Sequence, residues 1–421
     1  MIGVPLINDS TGRTQMNSTV DLLDEWKVKD EVIGMSFDTT SSNSGIRNGC
    51  CSLMEIKLAR ALLWCACRHH TSELHVKHAW QAIRGDRVVG PEEQLFKKFQ
   101  ADWETIDRDT NDLNLFEWPE KSTELFNQAE NVLNWAKVCI EKKTFPREDY
   151  RELIELIFVY LGGQLPVRKF FLRRPGAMHH ARFMSKSLYL LKMELLSERI
   201  NFSVEERRQI NKMARFIALF FAKYFLRSRI AVFSPLDDLK FIGSMISYRE
   251  EEPDISSAVL TSIKRHLWYL TEELVVLSIF NEDLSSFTRS MMAQKLFSIP
   301  RPTHFEPRKP KFPTIIENDL PFLPHLLGPR SWLLFSFFPG MHDWLQIPPQ
   351  YWNLITEYRI IRDFCLKLEV VNDAAERGIK IVEDFSHITE NEEQFQFLLQ
   401  CVEDHRKSLS SFNQSVLSKN L

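Results

Sequence analysis

Between residues 20 and 84 the apolar pattern changes its period four times, and that switching limits the folds open to this chain. Residues 20–26 carry helical spacing, residues 31–37 an apolar strand-like run, residues 51–60 a second helix and residues 61–67 a second apolar run, with another helix after it. Helix, strand, helix, strand and helix in that order read as an α/β unit. From about residue 90 to about residue 292 only helical stripes rich in Phe, Leu and Trp remain, broken at Phe145-Pro146, Leu165-Pro166 and Ser234-Pro235. Prolines then alternate with Arg301, Arg308, Lys309 and Lys311, which predicts a linker or a wrapping segment. Helical periodicity returns over residues 350–385 and 390–407, and the Ser- and Asn-rich end is expected to fray.

With 421 residues, 44% of them apolar, the chain can bury a sizeable core. A net charge of −3 leaves nucleic-acid contact to local patches. Seven cysteines without a disulfide spacing point to a reducing compartment, nuclear or cytoplasmic. No apolar run reaches the roughly 18 residues of a membrane helix, and the first eight residues do not read as a signal peptide.

The chemistry concentrates at the ends of the two strands. Asp38 closes the first and opens the turn Thr39-Thr40-Ser41-Ser42-Asn43-Ser44-Gly45. The C-terminal edge of an α/β sheet is where ligands gather, while a turn- or helix-capping role is the alternative for an Asp so placed. Cys67 and His70 form a C-x-x-H at the end of the second run. The nearby Cys and His residues could suggest zinc, but no C-x-x-C pair exists, and Cys65 and Cys67 lie in an apolar sequence where free Cys packs as a small hydrophobe. Over residues 366–385, helical spacing places Leu368, Val371, Ala375 and Ile379 on one stripe and Glu376 at its edge; pairing of Glu376 with Lys380 is the alternative there.

An aspartate closing one strand, a C-x-x-H closing the next and a late helical glutamate beyond a long helical stretch resemble hAT-type transposases of the DDE, RNase H-like class. The resemblance implies an RNase H-like core in two pieces, residues 1–84 and 350–421, interrupted by a helical insertion over 85–299 and a Pro-rich linker over 300–349. It assigns catalytic roles to Asp38, Glu376 and His70, with Asp38 and Glu376 as ligands of Mg²⁺, a hard ion that takes oxygen ligands. The specific motifs cover residues 36–45, 67–74 and 372–378.

The family's first aspartate, on a strand ahead of this segment, has no counterpart here, and neither does an N-terminal zinc finger. The expectation is therefore a transposon-derived, N-terminally truncated and catalytically inactive protein. The alternative is a domesticated, non-catalytic protein that binds DNA or protein, or a relic without function. Nucleic-acid contact would fall to Arg168, Lys169, Arg173, Arg174 and Arg182, interleaved with Phe170 and Phe171, and to the basic helix over residues 207–229. Such runs are more often solvated faces, and DNA binding would be non-specific. Self-association is a further expectation.

Overall fold

The computed structural model describes residues 7–85, 93–142, 148–165, 170–175, 184–227, 229–306 and 311–371, together with Gly3, Pro5 and Phe145. Strand β1 (Gly34–Phe37) pairs in parallel with strand β2 (Leu63–Ala66), with Gly34 opposite Leu63 and Phe37 opposite Ala66. The chain crosses between them through the short helix Ser41–Ser44 and the helix Cys50–Leu58. Ahead of β1, the helix Gly12–Glu25 packs on Cys50–Leu58. Gly12 is required at that contact, because a Cβ there would lie 2.2 Å from the carbonyl oxygen of Asn48. The helix begins eight residues earlier than the apolar spacing predicts, since the Thr11 side chain caps it by accepting from Thr14 N.

Around this sheet the described chain is mostly helical, so the architecture is a large helical body with a small α/β unit. Both are one piece. A single apolar cluster runs from Phe37 to Val370, and the face of the sheet meets the helical body where Phe37, Trp64 and Trp268 stack edge-on or tilted at 5.6 to 6.3 Å. β2 is buried along its whole length, whereas Ser36 of β1 is exposed. No further strand pairs with β1 among the described residues.

Three local departures from the sequence expectations have physical causes. The third helix begins at Arg68, not after His70, so His69 and His70 lie in its first turn and Cys67 occupies the N-cap position. The basic helix expected over residues 207–229 is interrupted by a π turn, Ile217–Phe221, where Ala222 N reaches back five residues to Ile217 O. The helix Thr356–Cys365 ends well before residue 385. Beyond it the backbone of Leu368 and Val370 bonds to other segments: Leu368 O accepts from Ala231 N, Val370 N donates to Arg229 O and Val370 O accepts from Arg68 N. Those bonds hold residues 368–370 extended, so the helical reading fails there. Residues 311–349 wrap the body in short helical turns that bury Trp332, Phe335 and Trp344.

A buried ion pair ties the helical body to the α/β unit. Arg68, the first residue of helix Arg68–Arg84, places Nη1 2.7 Å from Asp238 Oδ1 on the helix Ser234–Tyr248, with both side chains 2% exposed. Tyr224 donates to the same carboxylate oxygen at 2.9 Å, and the rings of Tyr224 and Tyr269 flank the guanidinium at 5.0 and 5.1 Å. Tyr269 in turn donates to Ala66 O, the last residue of β2, at 2.6 Å. Removing one member leaves the other charged and buried. Arg68→Ala or Asp238→Ala should therefore cost about 3–5 kcal/mol, and the paired change Arg68→Met with Asp238→Leu should recover much of it. Denaturant titration of the three variants checks this; equal loss in single and double variants would show that packing volume, not charge, is at stake.

Helix Arg68–Arg84 packs along Pro253–Ile263 through a histidine cluster. His75 and His78 both meet Ser262 Oγ through Nδ1, at 2.8 and 3.0 Å, and His266 stands 6.4 Å from the His75 ring. Burial, followed by neighbouring positive charge, holds all three below the ordinary imidazole value, His266 at about 4. An unfolded imidazole titrates near 6.5, so below about pH 6.5 the unfolded chain takes up protons that the folded one refuses. Stability should fall as pH drops from about 6.5 towards 4, and His266→Gln should flatten that slope in urea midpoints measured across the window.

Candidate functional site

Asp38 and His70 come together at the C-terminal end of the parallel pair. The strand geometry does this directly: Phe37 and Ala66 are in register, so the residues that follow them leave the same end of the sheet. Cys67 N donates to Phe37 O at 2.7 Å, prolonging the ladder by one bond before helix Arg68–Arg84 begins. Both Asp38 and His70 are half-buried. The segment that leads towards residue 372 arrives at the same end, through the 3.0 Å bond from Arg68 N to Val370 O.

The Asp38 carboxylate is deeply committed to its own turn. Its Oδ1 accepts from Thr40 N at 2.9 Å, from Thr40 Oγ1 at 2.5 Å and from Asn43 Nδ2 at 2.7 Å. This is the capping geometry that the Ser, Thr and Asn composition of residues 39–45 supports. Burial works against ionisation of Asp38, but the bonds from Thr40 and Asn43 and the nearby His70 outweigh it and hold the carboxyl below its ordinary value. His70 is held below the usual imidazole value by burial, against the pull of Asp38. The pair at neutral pH is thus a carboxylate beside a neutral imidazole.

His69, next in sequence, belongs to the core. Its ring stacks on Phe225 at 4.0 Å, and its Nδ1 lies 3.2 Å from the Tyr150 hydroxyl. Cys65 and Cys67 are buried in the apolar cluster or at its edge. Among the described residues no group of three or more His, Cys, Asp and Glu side chains is arranged to hold a metal ion. Asp38 and His70 do not make an Mg²⁺ site by themselves, because they offer a single carboxylate, Oδ1 of which already accepts three hydrogen bonds, and imidazole nitrogen is a poor partner for so hard an ion. Glu376 lies outside the described residues.

The basic stretch also has a definite geometry. Arg173 pairs with Glu148 at 3.2 Å and Arg174 with Glu104 at 3.6 Å, while Arg168, Lys169 and Arg182 lie outside the described residues. Along residues 207–229, Arg207 pairs with Glu198, Arg208 with Glu205, Lys212 with Glu252, Arg215 with Glu251 and Arg229 with Glu369. Such pairs contribute little stability individually, but each cancels a charge that a phosphate would need. Among the described residues no helix is long and apolar enough to cross a membrane.

The chain matches no known protein family, no curated protein and no solved structure. What the sequence missed around this site is Arg68. An arginine directly after an apolar strand, followed by a helix, carried the signal that a buried counter-charge would be needed. Its partner Asp238, 170 positions away in the chain, had no sequence mark at all.

Removing the Asp38 carboxylate should loosen the turn without unfolding the chain. Asp38→Ala should cost about 1 kcal/mol, as loss of a side chain that accepts from its own turn does, and should speed amide exchange at Thr40. Because the folded carboxyl titrates below its ordinary value, its contribution is present at neutral pH and disappears as pH falls through that lowered value. Unchanged exchange at Thr40 in the variant would remove the turn-holding role.

Proposed function

We propose that this protein is a transposase-like, non-catalytic descendant of a DNA transposon, with an RNase H-like core split by its helical body. The observation that carries the reading is the parallel, in-register β1–β2 pair that brings Asp38 and the Cys67–His70 motif to one end of a sheet. Support also comes from residues 368–371, which return from beyond the helical body to that same end before the segment holding Glu376. A second carboxylate delivered there would face Asp38 across the site, as two-metal phosphodiester chemistry requires.

The non-catalytic part of the proposal rests on the state of Asp38. A carboxylate whose Oδ1 already takes three hydrogen bonds from Thr40 and Asn43 is oriented by its own turn, so a metal ion would be left with Oδ2 alone unless those bonds were broken. Of the two binding roles, protein recognition is favoured over DNA recognition, since Arg173, Arg174 and most cations of residues 207–229 already have carboxylate partners.

The purified chain should show no Mg²⁺- or Mn²⁺-dependent nicking or strand joining on duplex DNA. Metal-dependent nicking abolished by both Asp38→Asn and Glu376→Gln would restore the enzyme reading. Any DNA binding should be salt-sensitive, indifferent to sequence and no tighter than about micromolar at physiological salt. It should not weaken in Arg173→Ala or Arg174→Ala, because both side chains are already paired.

A further inference from the structure

Beyond the start of β2, at the other end of the parallel pair from Asp38, a cavity of about 1110 Å³ opens between residues 59–61, the start of the helix Glu272–Val275 and the segments 300–306 and 329–342. On its wall Arg301 lays its guanidinium over the indole of Trp332, 4.2 Å from the ring centroid. The same guanidinium donates through Nη2 to His342 Nε2 at 2.6 Å. Trp332 is itself fixed: it is buried, donates to Ile299 O at 3.2 Å and stands edge-on to His342 at 5.7 Å. The Arg301 head is thus held in one plane by an aromatic face on one side and an imidazole at one corner.

Charge accounting around the cavity singles this arginine out. Arg60 gives its guanidinium to the carbonyls of Asp30 and Lys29, both at 2.6 Å, and Arg330 reaches Glu273 at 3.4 Å. Glu306 pairs with His304 at 3.0 Å, and Glu272 accepts from Arg330 N at 3.4 Å. Arg301 has no carboxylate partner among the described residues, and of the five N–H donors of a guanidinium only one is engaged by a described residue.

We infer that this cavity binds a single carboxylate carried on an apolar body, with Arg301 as its anchor. A planar fork already held by Trp332 and His342 suits bidentate capture of a carboxylate and loses little freedom on binding. The three glutamates of the lining, Glu272, Glu273 and Glu306, balance its three arginines, so the wall carries no surplus positive charge for a polyphosphate, and the one cation left without a carboxylate or carbonyl partner among the described residues, Arg301, matches a single carboxylate. Phe305, Leu333, Phe337 and the prolines beside them, none of them fully buried, supply the apolar surface for the rest of the ligand. The carboxylate could be that of a small organic acid or the C-terminus of a peptide ending in an apolar residue. This inference does not depend on the proposed transposase descent.

Titration calorimetry on the full chain separates these sources, with decanoate, decanol, inorganic phosphate, acetyl-Ala-Ala-Phe as the free acid and the same peptide as its amide. Binding of decanoate assigns a small organic acid; binding of the peptide acid alone assigns a chain terminus. In either case the neutral counterpart and phosphate should bind about tenfold more weakly or not at all, and Arg301→Gln should reduce the acid to that level. Ser336→Trp, at the exposed rim and therefore harmless to folding, should block the cavity and abolish binding even if the Arg301 variant does not fold. Equal affinity for acid and neutral ligands, no binding of either acid, or binding that survives Arg301→Gln or Ser336→Trp would overturn the assignment.

Discussion

Arg68 is charged and buried, and much of the molecule is arranged around making that tolerable. A guanidinium taken out of water costs several kcal/mol unless charge and hydrogen bonds replace its solvation. Asp238 supplies the charge and keeps Arg68 ionised, and the rings of Tyr224 and Tyr269 cover its faces. Its Nε and Nη2 have no hydrogen-bond partner among the described residues, so the compensation is electrostatic and aromatic more than it is directional. The backbone of the same residue also holds Val370 in place. One position therefore fastens the helix Ser234–Tyr248, the end of β2 and the segment entering from Thr356–Cys365.

That fastening explains how a sheet of two four-residue strands persists. Two short strands alone are marginal in water. Here β2 is enclosed by the helical body, with Tyr269 bonded to Ala66 and Trp268 packed against Phe37 and Trp64. The helical body is less an appendage to the α/β unit than the container that stabilises it. The end of the sheet bearing Asp38 and His70 is consequently rigid on the His70 side, where the core begins, and turn-held on the Asp38 side, where Thr40 and Asn43 set the geometry.

The two sites differ in how their polar groups are used. At the sheet end, the Asp38 oxygen is consumed by local hydrogen bonds, which is the mark of a structural acceptor. At the Arg301 cavity, a rigidly held cation keeps most of its donors uncommitted to described residues in a charge-balanced, apolar-walled space. Pre-organised, unspent hydrogen-bonding capacity is what recognition requires, and it lies in a Pro-rich stretch whose composition alone suggested a linker or a wrapping segment.

The sequence by itself determined the local elements: the switches of pattern over residues 20–84 marked an α/β unit with Asp38 closing one strand and the Cys67–His70 motif closing the next, whereas the parallel pairing and its register were decided by the fold. The helical character of the middle of the chain was equally legible from its apolar stripes. Tertiary structure alone decided what long-range partners impose. The extended course of residues 368–370 follows from bonds to Arg229, Ala231 and Arg68, which overrode a helical pattern that was real in the sequence. The Arg68–Asp238 pair, the pairing of Lys212 with Glu252 and of Arg229 with Glu369, and the stacking of Arg301 on Trp332 likewise join residues from separate elements of the chain. Periodicity shows which face of an element is buried; it carries no information about which distant charge or ring will lie against that face.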